Sequence, residues 1–372
     1  MTTHSRVNLP VLPVPVASGR QSSASTLQRA LDERTAPGVL FTHRHGHLKC
    51  TACAHGCVLD EGAHGVCGVR FNAGGVLRVP FGYVARRYVR SIETNTVFHV
   101  RPGASALTFG MYGCDLSCPY CHNHRISQAL RAPDSSQESP VDITAEALVE
   151  EALANGCEVL CSAYNEPMIT AEWAHAVFAR AKQHGLVTVL VSDGNSTPEA
   201  LSFMRPVTDV FRVDLKASSE QQYRQLGGRL APVLESIATA KQLGYWVEVV
   251  TLVVPGLNAD LPSLSKLASR LAAIDREIPW HINAFVPRYR YVDRLGPDPA
   301  FLVSIAGSAY ARGLQFVYVS NTLDVQELSH TRCPSCHRVV VARHDYRTSS
   351  STLKDGRCPD CETRLPGLWG GT

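Results

Sequence analysis

Between Tyr83 and about Asp324, short apolar runs alternate with stretches whose apolar residues recur at helical spacing. Runs at 106–110, 158–163, 187–192, 210–215, 246–254, 281–286 and 315–319 are short and rich in Val, Ile and Leu, and predict strands. The intervening patterns predict helices at 144–155, 170–184, 231–243 and 261–276. The first opens on Thr144, without the acidic fourth residue of a full capping box, and the second stops at Gly185. Such alternation implies parallel strands joined by right-handed crossovers. An open Rossmann-type sheet and a barrel both fit it. Polar residues recurring at the C-terminal ends of the strands favour the barrel, because chemistry gathers on that face. Four segments follow: a tail at 1–38, rich in Pro, Ser, Thr and Arg, with one short helical stretch at 26–34; a cysteine module at 39–82; the α/β core at 83–325; and a second cysteine module at 326–372.

Composition narrows the function classes. The 372 residues are 45% hydrophobic, enough for a large core. Only 19% are charged and the net charge is +3, which gives no electrostatic case for a dedicated nucleic-acid binder. No run reaches the roughly eighteen apolar residues that a membrane span needs. Prolines break the apolar stretch of the first fifteen residues, so secretion is not expected and a cytoplasmic location is. Thirteen cysteines would suggest disulfides, but eleven fall into three groups with metal-ligand spacing, which points to metal binding in a reducing compartment. Cys157 and Cys161 stand apart and read as buried structural thiols.

The central group is Cys114-Asp-Leu-Ser-Cys118-Pro-Tyr-Cys121, placed directly after a predicted strand. Iron–sulfur clusters are normally held by four thiolates. Three in one loop leave an iron free to chelate the amino and carboxylate groups of S-adenosylmethionine (SAM) and to break its C–S bond after one-electron reduction. Zinc completed by His122 or His124, or unrelated buried thiols, are the competing readings. The C-x3-C-x2-C spacing, the aromatic residue before the last cysteine and the preceding strand favour the cluster. This run resembles the radical SAM superfamily signature. The resemblance implies a partial (β/α)6 barrel, with the cysteine loop after its first strand and Tyr120 packed beside cluster and adenine.

Further polar groups stand at the ends of other predicted strands: Ser162 to Pro167, including Asn165 and Glu166; Ser192-Asp193-Gly194-Asn195; Asp214-Leu215-Lys216; and Trp280-His281-Ile282-Asn283. Each alone reads as a turn or a satisfied core polar group. Four such sets on successive strands make a polar rim around one ligand. A zwitterionic, cationic ligand needs acceptors for its amino group, donors for its carboxylate and polar contacts for its ribose. Glu166 suits the ammonium, Lys216 the carboxylate, and Ser192 and Asp193 the ribose hydroxyls. Asp214 orients Lys216 or shares the ribose, and His281 lies near the ligand carboxylate or on the substrate side. These roles follow the layout that the resemblance implies, in which Gly-Gly-Glu follows strand two. Here the segment is Tyr164-Asn165-Glu166 instead of the two glycines, which keeps Glu166 and leaves the other amino-group contacts open, with Asn165 counted among the cofactor-binding residues.

Longer stretches are similar, in order and spacing, to the AmmeMemoRadiSam-system radical SAM enzymes, relatives of the glycyl-radical-enzyme activases. They are Phe98 to Gly103, Gly113 to Asn123, Tyr164 to Pro167, Val213 to Ala217, Thr251 to Asn258, Pro279 to Tyr289 and Val317 to Asn321, and the likeness extends over about 41–367. Two departures are Ser192-Asp193-Gly194 in place of Thr-Asn-Gly, and an Arg90-Ser91-Ile92-Glu93 segment without the common Asp-Pro opening. The resemblance implies a [4Fe–4S] cluster and SAM, an electron donor such as ferredoxin or flavodoxin, and association with Memo-type and AMMECR-type proteins. It names no substrate.

The flanking cysteines complete the reading. Cys333-x2-Cys336 and Cys358-x2-Cys361, 21 residues apart, suit one tetrahedral ion, as in zinc ribbons and rubredoxins, with structural zinc preferred to iron. Cys50-x2-Cys53-x3-Cys57-x9-Cys67 is less regular and suits zinc, an auxiliary iron–sulfur cluster, or a site in which His47 or His55 replaces one thiol; zinc is preferred. Arg338, Arg343 and Arg347 read as a modest, solvated basic face. The expected function is radical hydrogen abstraction from a small molecule or peptide. The alternatives are activation of a glycyl-radical enzyme and a metal-bearing scaffold without catalysis.

Overall fold

A computed structural model of the chain describes residues 21–44, 47–132 and 139–370. Its centre is an eight-stranded sheet in which strand order follows chain order. The strands are β1 (Arg86–Ser91), β2 (Ser105–Gly110), β3 (Val159–Ser162), β4 (Val187–Ser192), β5 (Val210–Asp214), β6 (Trp246–Val253), β7 (Trp280–Ala284) and β8 (Val317–Ser320). β1 runs antiparallel to β2, and every later neighbour is parallel. When each right-handed crossover advances in the same direction, all crossover helices fall on one face. The helices Ala145–Ala154, Ala171–Gln183, Leu230–Gln242, Leu261–Ile274 and Pro299–Ala311 contribute to one continuous core with Leu107, Phe109, Leu160, Leu190, Phe211, Val247, Trp280 and Val317 of the strands.

Alternate strand residues turn to the other face. Ala106, Val159, Cys161, Val189 and Val210 pack there with Ile92, Val97 and Val100 of the β1–β2 connection, which covers the N-terminal end of the sheet. All seven strands expected from the apolar runs are present and parallel, one more than the six of the barrel that the resemblance implies. The antiparallel β1 escaped the sequence pattern because Arg86-Arg-Tyr-Val-Arg-Ser91 has no apolar run.

Above that apolar layer lies a buried polar one. Glu248 accepts hydrogen bonds from the backbone N–H groups of Phe98 and His99, each at 2.9 Å, from Trp246 Nε1 at 3.0 Å and from His281 Nε2 at 2.7 Å. Burial alone would raise this carboxyl, yet its bond and charge interaction with His281 hold it down at about 2. Burial pushes His99 down to about 4. Both values lie below the ordinary ones, 4.5 for Glu and 6.5 for His, so the unfolded chain binds these protons first. Stability is therefore full above pH 6.5 and declines as pH falls through 4 toward 2, with Glu248 contributing on the order of 3 kcal/mol. We expect urea midpoints to fall steadily from pH 7 to pH 3, and a flat profile over that range would contradict this account.

Two flanking modules attach to the sheet. At the C-terminus, three short strands, Thr331–Arg332, Val339–His344 and Arg347–Ser351, share a core with Phe98, Phe316 and Tyr318. Arg343 was expected on a solvated face; instead it is buried, stacks over Phe98 at 4.2 Å and donates to Phe98 O at 2.6 Å and Thr331 Oγ1 at 2.8 Å. Its place as the buried, penultimate residue of the strand Val339–His344 decides this, and charge patterning alone does not report it. At the N-terminus, residues 1–20 of the expected tail lie outside the described residues. The rest is not a tail. A helix spans Gln21–Asp32 with Leu31 buried, and Thr35–Pro37 pairs with Val76–Pro80. The module is fastened by Arg70, which forms a two-pronged ion pair with Glu172 at 2.7 and 2.9 Å, both residues being buried.

Candidate active site

The cysteine run leaves the C-terminal end of β2 through Gly113, whose φ of 90° is left-handed and whose missing Cβ would stand 2.8 Å from Cys67 O. Glycine is required there on both counts. Cys118 is buried, Cys114 and Cys121 are half-buried, and all three pack with Leu116, Tyr120, Leu226, Val254, Leu257 and Phe285. Tyr120 is buried beside them with its hydroxyl unpartnered, and its ring lies 6.2 Å from that of Tyr291. Ser127 Oγ lies 3.2 Å from Cys121 Sγ.

The loops after β3, β4 and β5 meet this run. Glu166 accepts from Ser192 Oγ at 2.8 Å, Asp193 N at 2.7 Å and Met168 N at 2.9 Å. Asn165 fixes the adjoining backbone, accepting from Met111 N at 2.9 Å and donating to Glu166 O at 3.0 Å. Between them and β3, Tyr164 holds φ 72°, a conformation glycine takes without strain, which explains how a Gly-poor segment still makes this turn. Lys216 Nζ lies 3.1 Å from Asp214 Oδ2, and Arg212 pairs with the other oxygen of Asp214. Arg212 and Asp214 share a face by the two-residue period of the strand, and Lys216 follows two residues beyond its end.

One residue outside the expected rim joins the site. Asp115, inside the cysteine run, is buried and accepts from Asn195 Nδ2 at 2.8 Å. Its carboxyl is pushed up to about 6, by burial first and then by Glu166. The donor atoms of Cys114, Asp115 and Asp193 lie within 4.8 Å of one another. The presence of a carboxylate between two cysteines of the run was the available signal for Asp115, whereas nothing in sequence order marks Asn195 as its partner. Burial pushes Cys114, Glu166 and Asp193 well above their usual ranges, with the neighbouring acids adding to it. Four carboxyl groups, Asp115, Glu166, Asp193 and Asp214, therefore stand with three thiols beside two cationic side chains, Arg212 and Lys216, both of which pair with Asp214. Such an excess of buried acceptors, with Asp193 Oδ2 unpartnered, fits a cationic occupant and iron.

His281 is corrected. It is the second residue of β7, at the end of the sheet opposite the cysteine loop, fully buried against Glu248 and stacked on Tyr318 at 5.0 Å. In a parallel sheet a residue that opens a strand cannot reach the C-terminal rim, so His281 belongs to the structural polar layer. A separate groove of about 820 Å³, lined by Phe81, Trp173, Ala176 and Arg180, contains none of the cysteines.

Residues 109–268 match the radical SAM superfamily. An uncharacterized protein of Methanocaldococcus jannaschii is 30% identical over 324 residues, which is 86% of this chain and 95% of that protein. The chain belongs to the radical SAM superfamily. This radical SAM protein is also 25% identical over 192 residues to the pyruvate formate-lyase-activating enzyme of Streptococcus mutans serotype c, covering 48% of this chain and 72% of that enzyme. Among solved structures, a radical SAM methyltransferase from Sphaerobacter thermophilus aligns with a TM-score of 0.47 and 11% identity, over 80% of each chain.

Beyond its central site, this radical SAM protein brings Cys333, Cys336, Cys358 and Cys361 together, with all four sulfurs within 4.8 Å of one another. Cys333 and Cys361 Sγ are 3.5 Å apart, and Cys336 and Cys358 Sγ 3.6 Å. Tetrahedral ligation with metal–sulfur bonds of about 2.3 Å places sulfurs about 3.8 Å apart, so the four suit a single ion. Removing that ion by chelation, or replacing Cys358 by Ser, is expected to lower the melting temperature by about 10 °C, because the module's small core depends on it. An unchanged melting curve after the metal is shown to be gone would count against this. Neither the Cys114 trio nor any three of Cys50, Cys53, Cys57 and Cys67 converge in this way among the described residues. Cys157 and Cys161 are buried, as expected.

Proposed function

We propose that this protein is a radical SAM enzyme built as a partial barrel, acting on a small-molecule or peptide substrate. The observation that carries the reading is the C-x3-C-x2-C loop, inside the superfamily match, facing a buried and under-neutralised acidic pocket. Cys114, Cys118 and Cys121 would ligate a [4Fe–4S] cluster which, with SAM bound, supplies reductive C–S cleavage to a 5′-deoxyadenosyl radical that abstracts hydrogen. The remaining steps belong to the protein. Tyr120 packs beside the three thiols and offers its unpartnered hydroxyl. Glu166 holds Ser192 and Asp193 in place, and Asp193 presents its free oxygen to the ligand's cationic or ribose groups. Asp214 orients Lys216 as a donor for the ligand carboxylate. The apolar wall of Leu116, Leu226, Val254, Leu257 and Phe285 excludes water from the reacting radical.

The test is an anaerobic assay: reconstitute with iron and sulfide, add SAM and dithionite, and measure 5′-deoxyadenosine. We expect product. Protein that binds the cluster and SAM yet forms none would favour the non-catalytic scaffold. The likeness to a pyruvate formate-lyase-activating enzyme supports a second reading, activation of a glycyl-radical protein. There SAM is consumed about once per activated site, whereas small-molecule chemistry continues over many turnovers. A ferredoxin or flavodoxin as reductant, zinc as the C-terminal ion, membership of the AmmeMemoRadiSam group with Memo-type and AMMECR-type partners, and a cytoplasmic location complete the proposal. Co-purification tests the partners. No helix among the described residues is long and apolar enough to cross a membrane.

A further inference from the structure

The four N-terminal cysteines take no part in the site described above, yet their loop is built onto it. Cys50 ends the strand His47–Cys50, and Cys53 forms a backbone bridge to Ser196 in the loop that follows β4. Ala54 N donates to Asn195 O at 2.9 Å, and Thr197 Oγ1 donates to Thr51 O at 2.5 Å. His55 Nε2 lies 3.1 Å from Asp115 O, between the first two cysteines of the SAM-site run. One guanidinium joins the two cysteine loops directly: Arg131 Nη2 donates to Val66 O and to Cys114 O, both at 2.8 Å. Cys67 O closes the contact against Gly113.

Within the module, Cys50, Cys53 and Cys67 are buried and Cys57 is half-buried. Val66 N lies 3.5 Å from Cys57 Sγ as a donor, an arrangement that stabilises a thiolate and tunes a cluster. The spacing Cys50-x2-Cys53-x3-Cys57 is that of the SAM-site run in reverse, with Cys67 adding a fourth thiol. Geometry separates the metal classes. The C-terminal four converge on one point, as a single ion demands, with sulfur pairs at 3.5 and 3.6 Å. No three of the N-terminal four lie within 4.8 Å of one another among the described residues, and the same is true of the Cys114 trio. A polynuclear cluster spreads its thiolates over separate irons, so its ligands stand farther apart than those of one ion.

We propose that Cys50, Cys53, Cys57 and Cys67 ligate a second iron–sulfur cluster, seated against the SAM-site loop, rather than zinc. The comparison with the trio rests on the radical SAM reading. With a cysteine for every iron, this cluster has no open position for substrate, and its chemistry is one-electron transfer. The test reconstitutes three proteins anaerobically with iron and sulfide: wild type, Cys114→Ala/Cys118→Ala/Cys121→Ala, and Cys53→Ser/Cys67→Ser. We expect about eight irons in wild type and about four in each variant. After dithionite reduction, the electron paramagnetic resonance signal of the triple variant should be indifferent to SAM, and that of the double variant should respond to it. Wild type with about four irons, all lost in the triple variant, overturns the proposal while leaving SAM chemistry intact. So does a second zinc per chain that remains until Cys53 and Cys67 are replaced. If the triple variant does not fold, the halving of iron between wild type and the double variant decides the matter.

Discussion

Replacing Cys118 with alanine is expected to reduce 5′-deoxyadenosine formation to the level of a protein-free control. Cys118 is the middle cysteine of the run and is buried among Leu116, Tyr120, Leu226, Val254, Leu257 and Phe285. Burial pushes its thiol up to about 12 against the pull of nearby Lys216, so it becomes a thiolate only when a metal replaces its proton. No other cysteine stands close enough in the run to substitute. The lost sulfur leaves a small void in an apolar wall, at a cost of about 1 kcal/mol, so the fold persists. The variant should keep the wild-type circular dichroism spectrum and melt within a few degrees of it. Product formation by this variant at anything near the wild-type rate would refute the ligand assignment.

Glu248→Ala is expected to cost about 5 kcal/mol of stability. The carboxylate is fully buried and accepts four hydrogen bonds, two from the backbone of Phe98 and His99. Alanine leaves those two N–H groups, the indole of Trp246 and the ring of His281 without their acceptor, in a place water does not reach. Each orphaned donor costs about 1–3 kcal/mol, partly recovered by relaxation. The loss spreads to the C-terminal module. His99 also binds Pro366 O at 2.8 Å and Tyr318 OH at 2.5 Å, and Phe98 underlies Arg343. Glu248→Gln retains the shape but turns an amide NH2 toward a donor, and should fall between alanine and wild type. Denaturant titration checks both, and an alanine variant within about 1 kcal/mol of wild type would show that the hub is not what fastens the segment.

The chemistry was legible wherever it depends on local spacing. Cys114, Cys118 and Cys121 lie in one loop, so their order along the chain is already their arrangement in space. The C-terminal pairs are legible for the same reason: each C-x2-C knuckle is local, and one hairpin brings the two together. The meeting of Glu166, Ser192 and Asp193 was legible because parallel strands deliver their C-terminal ends to one edge, where hydrogen bonds tie the three together. His281 shows the limit of that inference. Polar residues at the beginning and at the end of a strand look alike as sequence, but they face opposite ends of the sheet.

The apolar periodicity and the cysteine spacings by themselves determined the alternating α/β core, its parallel strands and the radical SAM loop, since these follow from local periods and short-range ligand geometry. Tertiary structure alone decided the rest. It set the antiparallel β1, the buried hub of Glu248, His281 and His99, the inward turn of Arg343 and the seating of the N-terminal cysteine loop against Gly113 and Asp115. The physical reason is range. A strand with a polar sequence, a buried charge or a contact between loops some sixty residues apart is stabilised by partners distant along the chain, and one-dimensional patterns carry no record of which partners those are.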